Sequence, residues 1–219
     1  MTKWRNATGF GLLLFMATVI GGLAGISQAQ GNGGGVTLAS LAGKFSQTGS
    51  GSYTACFNES FTTVVDCASA PHEEVRFNAT AVAHNVRDAA GNSCGVTTLT
   101  STPTDAPVYG TKFPGGVNFT RIDFTRTSVS TTTSFDPTTG SGTASFRQYH
   151  GGSCVGTAFD STGAILTGTG TQSFMVSASG NRIETITTSL SMVTGAFGVA
   201  GMLKETMPVN KSISVRQAD

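Results

Sequence analysis

"VRFNATAVAH", residues 75–84, separates its side chains two by two. Val75, Phe77, Ala79, Ala81 and Ala83 fall on one face. Arg76, Asn78, Thr80 and His84 fall on the other, with Val82 the exception. Successive side chains of a strand point to opposite sides of a sheet, so this alternation predicts a half-buried β-strand. "SGTASFRQY", 141–149, repeats the pattern, with Gly142, Ala144 and Phe146 opposite Thr143, Ser145 and Arg147. In "ILTGTGTQSFMVSA", 165–178, Thr167, Thr169, Thr171 and Ser173 oppose Gly168, Gly170, Phe174 and Val176.

Turn signals separate these runs: "DAAGN" at 88–92, "DPTTG" at 136–140, "HGG" at 150–152, "DSTG" at 160–163 and "SGN" at 179–181. No window between Gly43 and Thr206 sets apolar residues at helical spacing among good helix formers. Strands are therefore expected near 43–56, 61–67, 74–86, 94–101, 117–134, 142–149, 154–159, 164–178, 182–194 and 197–206. Short connections favour antiparallel pairing. The fold class is all-β: an antiparallel up-and-down barrel of roughly eight to ten strands, with a two-sheet β-sandwich as the alternative. Gly43-Lys44-Phe45 resembles the G-x-W opening of lipocalin-like barrels over three residues. The Trp is missing and no second motif accompanies it, so no family is assigned.

The N-terminus has its own layout. Lys3 and Arg5 precede an uncharged stretch, "GFGLLLFMATVIGGLAGI" at 9–26, and then "SQAQ". Ser27 and Ala29 stand at the −3 and −1 positions of a small-x-small cleavage site, so residues 1–29 read as a secretory signal peptide cut between Ala29 and Gln30. Residues 30–40 follow as a Gly-rich flexible linker, 41–209 as a single antiparallel β domain, and 210–219 as a polar C-terminal tail. The expected location is outside the cytoplasm: periplasmic, extracellular or at the cell surface.

Composition bounds the chemistry. Of the 13 basic residues two lie in the signal, so 11 face 12 acidic residues in the mature chain. A phosphate-binding surface needs a basic excess, so nucleic acid is not an expected partner. Only 11% of residues are charged, which leaves Ser and Thr hydroxyls to solvate the surface. A membrane-inserted barrel needs apolar lipid-facing strands and aromatic girdles. The single Trp lies in the signal and there are three Tyr, so membrane association is not expected after cleavage.

The four cysteines are Cys56, Cys67, Cys94 and Cys154. An even number in an exported chain predicts two disulfides, and four cysteines allow three pairings. Cys94 and Cys154 sit in matching segments, "RDAAGNSCGVT" at 87–97 and "RQYHGGSCVGT" at 147–157, both R-x-x-x-G-x-S-C-x-x-T. The match reads as one hairpin design used twice, which favours Cys94–Cys154 and leaves Cys56–Cys67. It also sets Arg87 and Arg147 as candidates for a two-Arg anion clamp, although solvated strand-end arginines are the simpler expectation.

"GNSCG", 91–95, also fits G-x-S-x-G, the nucleophile elbow of serine hydrolases. An elbow needs a helix after the Ser, and "GVTTLTST" is β-like, so Ser93 is not expected to be a nucleophile. "HEEVR" at 72–76 has Arg76 where a second zinc-binding His would stand. His72, His84 and His150 are scattered. No catalytic residue, cofactor site or metal site is assigned. Three functions stay open. The first is an exported, non-catalytic barrel binding a small apolar or amphipathic molecule. The second is a structural or adhesive exported protein. The third is a barrel enzyme of cyclase or isomerase type, whose acid or base would be sought at Glu184 or Asp123. Mature protein is expected to begin at Gln30. N-terminal sequencing of the secreted fraction checks this, and an intact Met1 on membrane-bound protein overturns it.

Overall fold

In a computed structural model the chain forms a closed antiparallel barrel of eight strands, plus a small two-stranded hairpin. The structure describes residues 35–60, 63–104, 121–193, 200–204 and 211–218, and of Ile122 the backbone alone. The proposed signal peptide and its Ala29–Gln30 cleavage site lie outside the described residues. No helix among the described residues is long and apolar enough to cross a membrane.

The barrel strands are β1 (Gly43–Phe57), β2 (Glu73–Arg87), β3 (Asn92–Pro103), β4 (Ile122–Asp136), β5 (Ser141–His150), β8 (Ile165–Val176), β9 (Arg182–Met192) and β10 (Lys211–Arg216); β6 (Ser153–Val155) and β7 (Ala158–Asp160) make the hairpin. Each barrel strand pairs with its neighbour in the chain, the β6–β7 hairpin being passed over, and β10 pairs back onto β1. The topology is thus up-and-down, and the sandwich alternative is set aside.

The faces follow the alternation in the sequence. On β2, Val75, Phe77, Ala79 and Ala83 are buried, while Arg76, Asn78, Thr80, Val82 and His84 are exposed. Asp88, Asp136 and Asp160 each accept backbone hydrogen bonds from residues two or four further on, which stabilises the turns after β2, β4 and β7. These bonds hold all three carboxyls below their ordinary range: for Asp88 the Asn92 side chain contributes most, for Asp136 the Thr138 N–H, and for Asp160 the Thr162 N–H.

Apolar residues fill the two ends of the barrel. At one end, called the floor here, Leu41, Phe45, Ala144, Phe174, Val176 and Ile183 pack with Val36, Leu38 and Phe135. At the other, the roof, Ala55, Val75, Phe77, Met192 and Met202 pack with Tyr53, Phe57, Val64, Leu190 and Leu203. Two Gly–Phe pairs face each other across β5 and β8. Phe174 lies over Gly142, and Phe146 lies over Gly170. A side chain on either glycine would collide with the ring, so these glycines make room for the aromatics.

Several expected boundaries move. The polar tail at 210–219 contains β10, the strand that closes the barrel. Its pattern misleads because Ser212 and Ser214 face the lumen while Ile213 and Val215 face outward, and Val215 is exposed. The linker at 30–40 ends in ordered structure: Thr37 and Ser40 bond to each other around a short 3-10 helix, Ala39–Leu41, and Val36 and Leu38 join the floor. The strand expected at 61–67 reduces to a bridge between Val64 and Phe57, and the one at 197–206 to a bridge between Leu203 and Ala55, among the described residues. The strand expected at 154–159 is the β6–β7 hairpin, which turns at Gly156 outside the barrel. The strand expected at 117–134 begins at Ile122, its first residues lying outside the described ones.

The disulfides are Cys56–Cys67 and Cys94–Cys154. Cys94 points out of the barrel wall, yet it is fully buried, because the β6–β7 hairpin folds over β3. The rings of Tyr149 and Phe159, tilted by 32° with centres 4.4 Å apart, hold that hairpin down, as does a 3.3 Å hydrogen bond from the Thr127 hydroxyl to the Gly152 carbonyl. The repeat does not build two equal hairpins. Its first copy turns from β2 to β3 within the wall, and its second leads from β5 out of the wall. Removing the 60-residue link by the double substitution Cys94→Ala, Cys154→Ala is expected to cost about 2–4 kcal/mol. Calorimetric melting checks this, and an unchanged Tm overturns the structural role of the bridge.

Candidate functional site

The register across the barrel decides which side chains share the lumen. Paired residues on neighbouring strands lie on the same face, so one inward residue fixes its whole row. Arg87 pairs with Ser93, Ser93 with Ser130, and Ser130 with Phe146. Phe146 is buried, so the whole row faces in. The next inward row runs Asn85, Gly95, Ser128 and Gln148, and a third runs Gln47, Ala83, Thr97 and Arg126.

These rows lie between floor and roof, and their small residues leave a cavity of about 160 Å³. Its apolar wall includes Ala79, Ala81, Ala83, Leu99 and Phe146. Its polar wall is a set of short networks. Asn85 donates to Gln47 at 2.7 Å, and Gln47 donates to the Ser212 hydroxyl at 2.6 Å. The Ser93 and Ser130 hydroxyls are 2.7 Å apart. The lining reaches the outer wall at Ser50 and Lys211, where β10 begins. Among the described residues, none that lines the cavity is Asp or Glu.

Two guanidinium groups face this interior. Arg126 donates to Gln148 Oε1 at 2.7 Å and lies 4.4 Å from the centre of the Phe124 ring. Burial pushes its pKa down to about 10, so it is charged at neutral pH. Arg87 lines the cavity and stands 5.9 Å from the centre of the Phe174 ring. Burial alone lowers its pKa, with no carboxylate acting on it. Among the described residues its guanidinium has no hydrogen-bond acceptor. A third arginine, Arg216, is used structurally: it donates to the carbonyls of Ala42 at 2.6 Å and of Ser40 at 2.5 Å, tying the 3-10 helix to the floor.

Several sequence candidates separate. Arg87 and Arg147 do not form a clamp. Arg147 pairs with Val129, and Val129 with Cys94, so it lies in the outward row and is exposed. An offset of 60 residues is even, but the parity of the intervening connections decides the face, and sequence spacing does not reveal it. Glu184 and Asp123, the places named for a catalytic acid or base, are on the outer wall. Glu184 pairs with Arg182 at 2.8 Å and with Lys211 at 3.7 Å. Asp123 pairs with Arg121 at 2.8 Å and accepts from Thr100 at 2.6 Å.

His84 is exposed beside the Ser46 hydroxyl, and His72 bonds the Ser69 carbonyl at 2.6 Å and faces Glu74 at 3.5 Å. No group of three or more His, Cys, Asp or Glu among the described residues is placed to hold a metal ion. Sequence reasoning missed Arg126, Ser130 and Gln148. The signal for the first two was present: Phe124, Arg126, Ser128 and Ser130 alternate, and Phe124 marks their face as the inner one.

Ser93 is therefore a lumen residue whose described hydroxyl partner is Ser130, with Cys94 beside it facing out to its disulfide. Among the described residues no His, Lys or carboxylate is bonded to its hydroxyl, as an activated nucleophile would need. Ser93 is expected to resist covalent labelling by a fluorophosphonate, read by mass spectrometry of the intact protein, and a labelled Ser93 overturns its assignment as a binding-wall residue. Comparison with protein-family models, with curated proteins and with solved structures finds no match to this chain.

Proposed function

We propose that this protein is an exported, non-catalytic barrel that binds a small amphipathic molecule in its lumen. The observation that carries this reading is the cavity of about 160 Å³ at mid-barrel, lined by apolar residues with hydrogen-bonding groups set among them. Ligand sites combine apolar lining with a few placed polar groups in this way. The two disulfides fit an oxidising compartment, and the N-terminal charge and apolar pattern supports export.

Cavity size limits the ligand. An engineered apolar cavity of about 150 Å³ takes benzene. The ligand here is then a molecule of roughly six to twelve heavy atoms, on the scale of a single aromatic ring with a substituent. Long-chain lipids exceed it, because both ends of the lumen are filled by apolar clusters. The same filled ends, with a hydroxyl-rich exterior, are what favours the structural reading as the alternative.

The test is a calorimetric and thermal-shift screen of aromatic, monoterpenoid and short-chain compounds of this size against the protein and against Ala81→Leu. Ala81 lines the cavity between Gly49 and Leu99, so leucine there fills it. Binding to the native barrel that is lost in Ala81→Leu is the expected result. Binding unaffected by the substitution places the site elsewhere. No binding by any compound leaves the structural reading.

A further inference from the structure

We infer that the lumen ligand is an organic anion, its charged end held by Arg87 with the Ser93–Ser130 hydroxyl pair and its apolar body against Phe146 and Leu99. This rests on the lumen-binding reading above and adds the ligand's charge and orientation.

Arg87 is where the argument starts. A guanidinium carries five N–H donors in a fixed fork. Here it is turned inward by the β2 register, lines the cavity and has only the Phe174 ring beside it. Arg87 is half-buried, and a cation partly withdrawn from water with no opposite charge beside it carries a desolvation penalty that ring contact offsets only in part. Proteins ordinarily answer a buried arginine with a carboxylate. None lines this cavity among the described residues, and the inward Arg126 adds a second positive charge to the same interior. The interior is thus complementary to an anion that the described residues do not supply.

The hydroxyl pair provides direction. Ser93 and Ser130 stand next to Arg87 in one row, 2.7 Å from each other. Two hydroxyls linked by one hydrogen bond retain one O–H to donate. No acceptor for it exists among the described residues. A carboxylate placed here receives the guanidinium fork and this remaining O–H, both charge-assisted. Phe146 follows Ser130 in the same row, so the wall becomes apolar at the next position. An inorganic anion would satisfy Arg87 and leave that apolar wall uncovered.

Matched probes in isothermal titration calorimetry separate the outcomes: sodium benzoate against benzamide, and sodium hexanoate against hexan-1-ol. Each anion is expected to bind at least tenfold more tightly than its neutral match. Arg87→Met is expected to abolish that difference while leaving the affinity for the neutral compound, and Arg87→Lys to restore part of it. Arg147→Met, on the outer wall, is the control expected to change nothing. Equal affinity for acid and neutral match overturns the anion and leaves lumen binding standing. A preference for the acid that survives in folded Arg87→Met overturns the role of Arg87. Chloride or sulfate that displaces benzoate at equal concentration overturns the organic ligand in favour of an inorganic one. If none of the four probes binds at millimolar concentration, lumen binding itself fails and this inference with it. The comparison of probes on the native protein keeps the inference falsifiable should Arg87→Met not fold.

Discussion

Closure of the sheet by β10 is the constraint on which the rest depends. Six residues, Lys211–Arg216, hydrogen-bond to β1 on one side, and five of them to β9 on the other. Without them both neighbours would present unpaired backbone groups, the usual template for aggregation. Closure removes those edges and encloses an interior in the same step. It also places Ser212 and Ser214 on the inner wall, where Ser212 ends the Asn85–Gln47 network.

The enclosed space is packed unevenly. Large apolar side chains gather at the floor and roof, where they bury most and hold the strand ends together. Small residues occupy the middle of β1 and β2: Gly49 and Gly51 face Ala81 and Ala79. On the opposite wall the Gly–Phe pairs of β5 and β8 let each ring lie flat against the neighbouring strand. The outcome is a barrel stabilised from its two ends, with space left between them. This division lets the residues that stabilise the barrel differ from those that line its cavity.

The charge inside that space runs against ordinary packing. Exposed carboxylates on the outer wall find cations within reach: Glu74 with Lys204, Asp123 with Arg121 and Glu184 with Arg182. Such surface pairs contribute little to stability. The inward Arg87 has no such partner among the described residues, although the chain holds nearly as many acids as bases. Acidic residues have been kept to the outside of the described wall while two arginines were placed within. An inward cation without an opposite charge is uncommon in a wall, and that is the sense in which Arg87 supports the proposed site.

The sequence by itself determined the strands and their faces. Alternation in 75–84 and 141–149 is a direct consequence of the two-residue repeat of extended backbone, and turn residues such as Asp88 and Gly91 mark the bends through local hydrogen bonds and positive φ. Local chemistry of this kind needs no distant partner, which is why it can be read residue by residue. What the chain could not reveal alone depends on register between strands far apart in sequence. The tertiary structure decided that the polar segment 211–216 closes the barrel, that Arg87 turns inward while Arg147 turns outward, and that Ser93 meets Ser130 across 37 residues. Side-chain face is fixed by pairing, and one shift of register would exchange inside for outside. The candidate site is a product of that pairing, and only the closed barrel shows which residues share it.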